Sequence, residues 1–301
     1  MNSTKEVVLI TGASGVVAQS LVHQLQDEFE IRLLTRKKKA ENEFEWNVAK
    51  GTIDDRAFEN VNHIIHLAGA GIADKRWTSQ RKKEIISSRV DSAKLLLEAV
   101  KRNQIHLKSY ISASGVGAYS QITSDEIFTE NLPFGNDFLA EVVKLWEQSA
   151  DDFTTNSLAD RVVKLRFGMV LSEKGALEKM KLPIQLYIGS NLGSGKQFVP
   201  WIHIKDLTNL IEFSMKNPLI NGTYNAVSPR FSTHEDLMKS LAKSLHKPFF
   251  MPNVPSFLMK LIMGESAVLV LEGSRVSADK VLQTGFQFQF EDLDQAISDL
   301  F

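Results

Sequence analysis

The chain has 301 residues, 43% of which are hydrophobic, and it carries 35 Lys and Arg residues against 36 Asp and Glu residues. That length is enough for a large α/β domain with a smaller lobe. A net charge of −1 supplies no long-range attraction for nucleic acid or anionic lipid, so we expect neither nucleic acid nor a membrane as a partner. The sequence has no Cys, and therefore no disulfide or zinc–cysteine site, which is typical of a cytoplasmic protein.

Residues 7–10 form the first predicted strand, and a turn containing glycine joins them directly to a predicted helix over 17–29. The turn has small residues at its first, fourth and seventh positions, namely Gly12, Gly15 and Ala18. Glycine permits the tight bend and the close approach of backbone, and Ala18 allows the helix to pack closely on the strand. Because such a turn presents backbone N–H groups and a helix N-terminus to a pyrophosphate, it predicts a dinucleotide site; the alternative is an ordinary strand-to-helix turn.

Strand-like and helix-like segments then alternate along the first half of the chain. The predicted strands cover 30–35, 44–47, 63–69, 107–114 and 161–171, and the predicted helices cover 79–100 and 138–152. This alternation favours the α/β class, with a Rossmann-like, doubly wound parallel sheet and right-handed crossovers.

A glycine-rich segment over 189–203 interrupts the alternation, and we place a smaller C-terminal α/β lobe around it. The predicted division is an NADP-binding Rossmann domain of residues 1–167 plus about 203–228, and a substrate-binding lobe of residues 168–202 and 229–301. Near the end, residues 285–290 read GFQFQF, and this strict alternation predicts a strand with one buried face.

The end of the second predicted strand bears on the choice of coenzyme. An NAD site usually has an acidic residue there, about twenty residues after the glycines, which accepts a hydrogen bond from the ribose 2′-hydroxyl. This chain has Thr35 and Arg36 instead, and Arg36 can form a bidentate pair with a 2′-phosphate. We therefore expect NADP(H) to bind in preference to NAD(H); the alternative is that residues 36–39 are a solvated basic loop.

Two histidines on one predicted strand, His63 and His66, raise the question of a metal. Odd spacing on a strand sends the two side chains to opposite faces, so they cannot readily share an ion. We interpret both as structural and expect no metal site.

Longer motifs accompany the glycine turn along the chain. They are HLAGA, RWTSQRKKEIISSRVDSAKLLLEA, SASGVGAY, LGSGKQFVPWIHIKDL, YNAVSP and MGESAVLVLEGSRVSADKVLQTGFQF. Together they resemble the extended short-chain dehydrogenase/reductase superfamily, and more narrowly its NAD-dependent epimerase/dehydratase-like family, to which human epimerase family protein 39U belongs. The resemblance covers essentially the whole chain, because the last motif is similar to that family's own C-terminal domain.

The resemblance implies a set of residues around the coenzyme, from the pyrophosphate to the nicotinamide end. They are Gly12, Ala13, Ser14, Gly15, Val16, Val17, Arg36, Lys37, Leu67, Ala68, Gly69, Arg89 and Ser112. Arg89 has an alternative role in a helix-surface ion pair.

Catalytic members of the superfamily use a Ser or Thr together with a Tyr-x-x-x-Lys pair on one helix. Residues four apart share one helix face, so the Lys ammonium can lower the pKa of the Tyr phenol. Aligned on Glu147, the corresponding positions of this chain are Leu139 and Val143. Lys144 follows one position later, about 100° around the helix, and cannot simply take over. The usual superfamily mechanism should therefore not be carried over.

Three other residues are candidates for proton transfer. Ser114 lies near the superfamily's Ser/Thr position, with Ser112 as the alternative. Tyr119 offers a phenol just beyond the same strand, and His203 could donate a proton or contact the substrate. Tyr119 could equally be a packing aromatic, and His203 a core histidine. The expected substrate pocket also contains Met169, Leu192, Gln197, Phe198 and Trp201.

These observations favour an NADP(H)-binding oxidoreductase or epimerase-like protein that acts on an unknown small polar substrate. The alternative is a catalytically silent NADP(H)-binding sensor or interaction module, because the proton-transfer pair is missing. Many superfamily relatives pair through helices of the first domain, so the resemblance also allows a homodimer.

Overall fold

A sheet of eight strands lies at the centre of the protein, whose structure is a computed structural model that describes residues 5–301. In chain order the strands and α-helices are β1 (Val7–Thr11), α1 (Val16–Leu25), β2 (Glu30–Thr35), β3 (Glu43–Asn47), β4 (Thr52–Ile53), β5 (Val61–His66), α2 (Ser79–Arg102), β6 (Ser109–Gly115), β7 (Ile127–Phe128), α3 (Phe138–Thr155), β8 (Val162–Phe167), β9 (Met169–Leu171), α4 (Ala176–Gln185), β10 (Trp201–His203), α5 (Ile204–Lys216), β11 (Gly222–Ala226), α6 (His234–Ser244), α7 (Ser256–Met263), α8 (Val268–Leu271), β12 (Arg275–Val276), α9 (Asp279–Leu282) and α10 (Leu293–Ser298).

The central sheet has the strand order β11-β8-β6-β5-β1-β2-β3-β4, and every neighbouring pair is parallel except β3 with β4. The chain runs outward from β1 through β2 to β3 and then returns to the other side of β1 at β5. This confirms the predicted Rossmann-like, doubly wound arrangement. The strand order reverses between β1 and β5, so their carboxyl ends form the crevice in which ligands bind to such sheets.

Helices cover both faces of the sheet because successive strand residues point to opposite sides and are apolar on both. Val8 and Ile10 belong to a core shared with α1 and α5, whereas Leu9 belongs to a core shared with α2 and α3. Within residues 5–301, no helix combines the length and the apolar character that crossing a membrane requires.

Side-chain caps explain where the two long helices begin. The Thr78 hydroxyl accepts a hydrogen bond from the backbone N–H of Arg81 at the start of α2, and the Asp137 carboxylate accepts one from Ala140 at the start of α3. Such caps satisfy N–H groups that have no partner within the helix. The predicted helices over 79–100 and 138–152 are therefore confirmed, with slightly later ends.

A separate core forms the smaller lobe from β9, β10, α4, α6 and α10. Strand β9 pairs in parallel with β10, and Trp201 is buried among apolar side chains of the three helices. The chain returns to the main sheet afterwards, since Val281 and Phe286 pack in the core of α1 and α5. The division into two domains at the boundaries given above remains a prediction.

Residues 161–171, predicted as one strand, form two strands in different sheets. A Cβ on Gly168 would lie 2.5 Å from the carbonyl oxygen of Pro200 and 3.0 Å from Cγ1 of Val227, so the chain passes closely between them. The backbone N–H of Met169 donates to the same Pro200 oxygen at 2.7 Å. The strand prediction is therefore wrong at Gly168, after which the chain pairs with β10 instead of the central sheet.

Residues 285–290, also predicted as a strand, follow the expected burial pattern without forming one. The three Phe side chains are buried or half-buried, and the two Gln side chains are exposed. The backbone N–H groups of Gln289 and Phe290 donate to the carboxylate of Asp206, at 2.7 and 2.9 Å, instead of to a neighbouring strand. The prediction of a strand is wrong because the buried carboxylate of Asp206, and not a neighbouring strand, accepts the backbone hydrogen bonds of this segment.

Candidate cofactor site

The glycine turn after β1 packs directly on the segment after β5. Gly12 has a φ of +73°, and a Cβ there would lie 2.9 Å from the carbonyl carbon of Leu67 and 3.1 Å from the backbone nitrogen of Ala68. The N–H of Gly15 closes the turn on the Gly12 carbonyl at 2.8 Å. Helix α1 starts at this point without a side-chain cap from any described residue. Position 12 therefore requires glycine, and the first N–H groups of α1 are available to a ligand.

The residues of the turn differ in exposure. Ser14 and Gly15 are exposed, whereas Gly12, Ala13, Val16 and Val17 are half-buried. Ala18 is fully buried against the sheet, as the sequence pattern predicts for the third small residue. The turn thus has one accessible side and one packed side.

A chain of hydrogen bonds fixes the turn to α2. Thr11 Oγ1 accepts hydrogen bonds from the backbone N–H groups of Leu67 and Ala68 at 3.0 and 3.1 Å. The Thr11 hydroxyl in turn donates to Nδ1 of His66 at 2.8 Å, and Nε2 of His66 donates to Ser92 Oγ at 3.1 Å. Burial lowers the pKa of His66 to about 4, which keeps the ring neutral as this arrangement requires. These hydrogen bonds join β1, the segment after β5, and α2.

His63, the other histidine of β5, has different partners. Its Nδ1 lies 2.8 Å from the hydroxyl of Ser109, and its Nε2 lies 2.8 Å from the carboxylate of Glu6. Across residues 5–301, no three His, Asp or Glu side chains form a group that could hold a metal ion.

The guanidinium of Arg89 is buried beside Gly69. A Cβ on Gly69 would lie 3.1 Å from Cζ of Arg89, so a larger residue would displace the guanidinium. Nη1 of Arg89 donates to the carbonyl oxygen of Ile85 at 2.9 Å, and Cζ lies 4.8 Å from the ring centroid of Trp146. None of the described residues forms an ion pair with it, and burial lowers the pKa of Arg89 to about 10. The side chain remains a cation at neutral pH and is suited to an anionic ligand.

Arg36 and Lys37 are exposed just after β2, which ends at Thr35. The next two backbone N–H groups donate to the carboxylates of Glu45 and Glu43, at 3.0 and 2.6 Å, and this fixes the basic loop on β3. The acidic side chains are therefore held by the loop backbone, and the Arg36 guanidinium points to solvent.

A buried polar network lies at the carboxyl ends of β6, β8 and β11. Ser114 Oγ donates to Oε1 of Glu147 at 2.7 Å, and Arg166 pairs with the same carboxylate through Nε and Nη2 at 2.7 and 3.0 Å. Nη1 of Arg166 donates to the hydroxyl of Tyr119 at 3.0 Å, which donates in turn to Oδ1 of Asn225 at 2.8 Å. All five side chains are buried, and burial raises the pKa of the Tyr119 phenol. The structure thus joins two of the three candidate proton carriers.

The α3 positions that correspond to the usual Tyr and Lys are apolar and buried. Leu139 and Val143 are each 5% exposed, whereas Lys144 is exposed on the other side of the helix. Ser112, the alternative to Ser114, is buried and its hydroxyl donates to the carbonyl oxygen of Ala113 at 2.9 Å. Neither position of the usual pair supplies an ionisable group.

His203 is fully buried at the end of β10, where it caps α5. Its Nδ1 accepts a hydrogen bond from the backbone N–H of Lys205 at 3.3 Å, and its ring centroid lies 3.9 Å from that of Phe290. Nε2 has no hydrogen-bond partner among the described residues, although a carboxylate oxygen of Asp299 is 3.4 Å away. Burial lowers the pKa of His203 to about 4, so the ring is neutral at pH 7.

The other expected pocket residues are either buried or half-buried. The buried Gln197 donates through Nε2 to the carbonyl oxygens of Leu192 and Val270, at 2.9 and 2.7 Å. Trp201 lies in the core of the smaller lobe, and its Nε1 donates to Ser232 Oγ at 3.1 Å. The half-buried members of the set are Met169, Leu192 and Phe198.

Sequence reasoning missed Arg166 and Asn225, which complete the buried network. The signal for Arg166 was a charged residue inside the run VVKLRF, predicted as a buried strand. Glu147 gave a matching signal, because it follows Trp146 on the apolar side of α3. Most buried charges are paired with a charge of opposite sign, so the two signals together are consistent with an ion pair.

Residues 8–140 match a model of the NAD dependent epimerase/dehydratase family, and residues 254–300 match a domain of unknown function, DUF1731. The whole chain is similar to an epimerase family protein of Staphylococcus aureus (strain NCTC 8325 / PS 47), with 37% identity over 300 residues that cover 97% of this chain and 98% of the relative. The chain belongs to the NAD-dependent epimerase/dehydratase family. Its central sheet is the nucleotide-binding part of that family's fold.

Two solved structures resemble this family member along nearly its full length. Human epimerase family protein SDR39U1 (isoform2), solved with NADPH, has a TM-score of 0.86 and 27% identity, covering 98% of each chain. The nucleoside-diphosphate sugar epimerase of Corynebacterium glutamicum has a TM-score of 0.80 and 28% identity, covering 99% of this chain and 58% of that one. The resemblance to extended short-chain dehydrogenases/reductases is confirmed.

Proposed function

We propose that this family member binds NADP(H) at the carboxyl edge of the central sheet and acts as an oxidoreductase or epimerase-like enzyme on a small polar substrate. The observation that carries the proposal is the packing of the glycine turn on the segment after β5, beside the uncapped start of α1. The human relative was solved with NADPH, which supports the same class of ligand here.

The residues present fit a dinucleotide. The backbone N–H groups of Val16 and Val17, in the uncapped first turn of α1, suit a pyrophosphate, because the helix dipole favours negative charge there. Arg89 would supply a cation for a phosphate or ribose oxygen, and residues 67–69 would run beneath the coenzyme. Ser112, at the end of β6, would lie toward the nicotinamide.

Preference for NADP(H) over NAD(H) rests on Arg36. Its guanidinium is exposed where β2 ends, and the chain has Thr35 and Arg36 at the position where an NAD site usually has an acidic residue. The neighbouring carboxylates of Glu43 and Glu45 accept hydrogen bonds from the loop backbone. A guanidinium binds phosphate with two parallel hydrogen bonds, and Lys37 adds a second positive charge beside it.

The bound nicotinamide would donate or accept a hydride at its C4 atom. Ser114, Tyr119 and His203 are the candidate proton carriers among the residues of this chain. Tyr119 has the most suitable surroundings, because Asn225 accepts from the phenol and Arg166 would stabilise the phenolate. Burial opposes that ionisation, since it raises the pKa of the Tyr119 phenol. The substrate pocket that we expect between the lobes would be lined by the half-buried Met169, Leu192 and Phe198, with the buried Gln197 and Trp201 behind them.

A second candidate function is an NADP(H)-binding sensor or interaction module without turnover. The observation that favours it is the closed hydrogen bonding of Ser114 and Tyr119, together with the apolar residues at positions 139 and 143. Under this alternative, NADPH binds tightly, a panel of carbonyl compounds causes no NADPH oxidation, and a protein partner is recovered only when NADPH is present.

Isothermal titration calorimetry with NADPH and NADH tests the proposal. We expect the wild type to bind NADPH more tightly than NADH, and Arg36→Ala to weaken NADPH binding by roughly tenfold or more, because charge-assisted hydrogen bonds to the phosphate are lost. NADH binding should barely change. Lys39→Ala in the same loop is the matched control. Equal or tighter binding of NADH by the wild type would overturn the preference, and no heat with either coenzyme would overturn the proposed function.

A further inference from the structure

Two long segments of the chain contain no Asp or Glu but eight Lys residues, namely 179–205 and 237–264. The same segments carry most of the large apolar side chains that are exposed in the described structure. These are Leu182, Leu186, Tyr187, Ile188, Phe250, Phe257, Leu258, Leu261 and Ile262. Basic and apolar groups are therefore concentrated in one part of a chain whose total charge is close to zero.

Helix α7 shows the pattern most clearly, because none of its residues is buried. Phe257, Leu258, Leu261 and Ile262 are 72%, 37%, 70% and 60% exposed. The spacing of these four residues places them on one side of the helix. A surface helix normally buries such a stripe against the protein core, and this one turns it outward.

The two segments are joined in space. The backbone N–H of Val254 donates to the carbonyl oxygen of Asn191 at 2.8 Å, and the N–H of Gly193 donates to the Val254 carbonyl at 2.9 Å. Lys247 Nζ lies 2.7 Å from the hydroxyl of Tyr187. We call residues 182–188 and 250–262, together with Lys247, the basic–apolar face; Lys260 lies within it.

Lysines lie within and beside the basic–apolar face, although four of the eight Lys residues of the two segments form ion pairs, namely Lys179, Lys205, Lys239 and Lys243. Lys260, within α7, is exposed and forms no ion pair in residues 5–301, and Lys247 is held by Tyr187 rather than by an acid. The acidic residues at the border are Asp74, Glu178 and Glu265. Asp74 is paired with Lys179 at 3.3 Å and Glu265 with Lys82 at 2.8 Å, whereas Glu178 forms no ion pair within residues 5–301.

We propose that the basic–apolar face docks on the surface of an anionic lipid bilayer. Apolar side chains of an interfacial helix enter the boundary between headgroups and acyl chains, and lysines around them attract anionic headgroups. The net charge of −1 led us to expect no membrane partner, but short-range attraction depends on the local distribution of charge. A second copy of the chain fits less well, because a symmetric dimer would oppose two basic patches.

The basic–apolar face borders the proposed cofactor cleft. Arg76 Nη2 donates to the carbonyl oxygen of Leu261 at 3.3 Å, and Arg76 lies in the loop between β5 and α2 that starts after Gly69. Coenzyme binding and bilayer binding can be measured separately.

Co-sedimentation with vesicles tests the proposal. The full chain is mixed with vesicles of phosphatidylcholine alone or of equimolar phosphatidylcholine and phosphatidylglycerol. We expect binding to the anionic vesicles only, weakened by salt, and a partition coefficient that falls by roughly tenfold or more in the Phe257→Asp, Leu261→Asp double variant. Leu219→Asp is the matched control, because Leu219 is 86% exposed but lies outside the face. Lys260→Glu changes the charge without touching an apolar residue and should also weaken binding.

Circular dichroism and NADPH titration of each variant show whether the fold and the coenzyme site are intact. The proposal is overturned if the wild type ignores anionic vesicles, if it binds neutral vesicles equally well, or if Leu219→Asp is as damaging as the double variant. It is also overturned if light scattering shows a dimer that the double variant abolishes and vesicle binding is absent.

Discussion

Arg89 brings a positive charge into the interior, and no acidic side chain within residues 5–301 forms an ion pair with it. Burying a cation is unfavourable unless its lost hydration is replaced. The carbonyl oxygen of Ile85 and the ring of Trp146 replace part of it. An anionic ligand would replace the rest, and this agrees with the role that the family resemblance implies for Arg89.

Replacing Arg89 by Met separates a ligand-binding role from a structural one. We expect the melting temperature without ligand to stay the same or rise, because a buried charge is removed, and the affinity for NADPH to fall by roughly tenfold or more. Thermal unfolding and calorimetric titration measure the two effects. Arg102→Met, in the exposed last turn of the same helix, is the control. A less stable variant with unchanged NADPH affinity would show that Arg89 is structural.

Gly12 and Gly51 provide a matched pair of glycines with positive φ, +73° and +63°. A Cβ at position 51 meets nothing within 4 Å, whereas a Cβ at position 12 meets the Leu67 backbone at 2.9 Å. We expect Gly51→Ala to lower the free energy of unfolding by about 1 kcal/mol, from backbone strain alone. Gly12→Ala should cost clearly more.

Only Gly12→Ala should also weaken NADPH binding, because it pushes the turn away from the segment after β5. Urea unfolding and calorimetric titration of both variants check this difference. If the two substitutions lower the free energy of unfolding equally and neither changes the affinity for NADPH, the close packing at Gly12 does not influence the coenzyme site.

At the scale of residues, the glycine turn could be predicted because its conformation depends on a few neighbours in sequence. The position of Arg36 at the end of β2 could be predicted for the same reason, and its role toward the coenzyme remains a prediction. The hydrogen bonds from Thr11 to His66 and on to Ser92 could not, because they join three elements that only the folded sheet brings together. Hydrophobic periodicity contains no information on which buried polar groups meet.

Among the elements, β6, β8, β11 and α3 are linked by the network around Tyr119. Removing the Tyr119 hydroxyl in Tyr119→Phe leaves Nη1 of Arg166 and Oδ1 of Asn225 without that partner. We expect a loss of about 1–3 kcal/mol in the free energy of unfolding, with NADPH affinity unchanged. Urea unfolding measures the loss.

Tyr110→Phe is the control for Tyr119→Phe. The Tyr110 hydroxyl is buried without a hydrogen-bond partner among the described residues, and its ring stacks on Phe153 at 3.8 Å. Its removal should be neutral or stabilising, because no partner is left unsatisfied. If both variants lose the same stability, the network does not hold the four elements together.

The order of elements in the first half could be predicted because apolar runs and helical periodicity alternate regularly there. The prediction failed where tertiary contacts decide the outcome. Gly168 interrupts RVVKLRFGMVL because Pro200 occupies the space beside it, and Asp206 replaces a strand partner for residues 289 and 290. In both cases the deciding residue lies more than thirty positions away, outside the reach of a local pattern.

For the molecule as a whole, buried histidines contribute to the loss of stability in mild acid. Burial lowers the pKa of His66, His203 and His234 from 6.5 to about 4. Each of these groups takes up a proton when the chain unfolds at a pH between those values. Their contribution to stability is therefore complete above about pH 6.5 and is lost as the pH falls toward 4, by about 1.4 kcal/mol per pH unit for each group.

Substituting His203 by Asn should make the protein less sensitive to acid. Asn can still cap α5, but it does not titrate in this range. We expect the slope of unfolding free energy against pH, measured by urea unfolding between about pH 6.5 and 4, to fall by about 1.4 kcal/mol per pH unit, since the proton that His203 takes up on unfolding is removed. His106→Asn is the control, because the exposed His106 has its pKa raised by Asp160 and titrates above this range. An unchanged slope in His203→Asn would show that protonation of His203 is not coupled to unfolding.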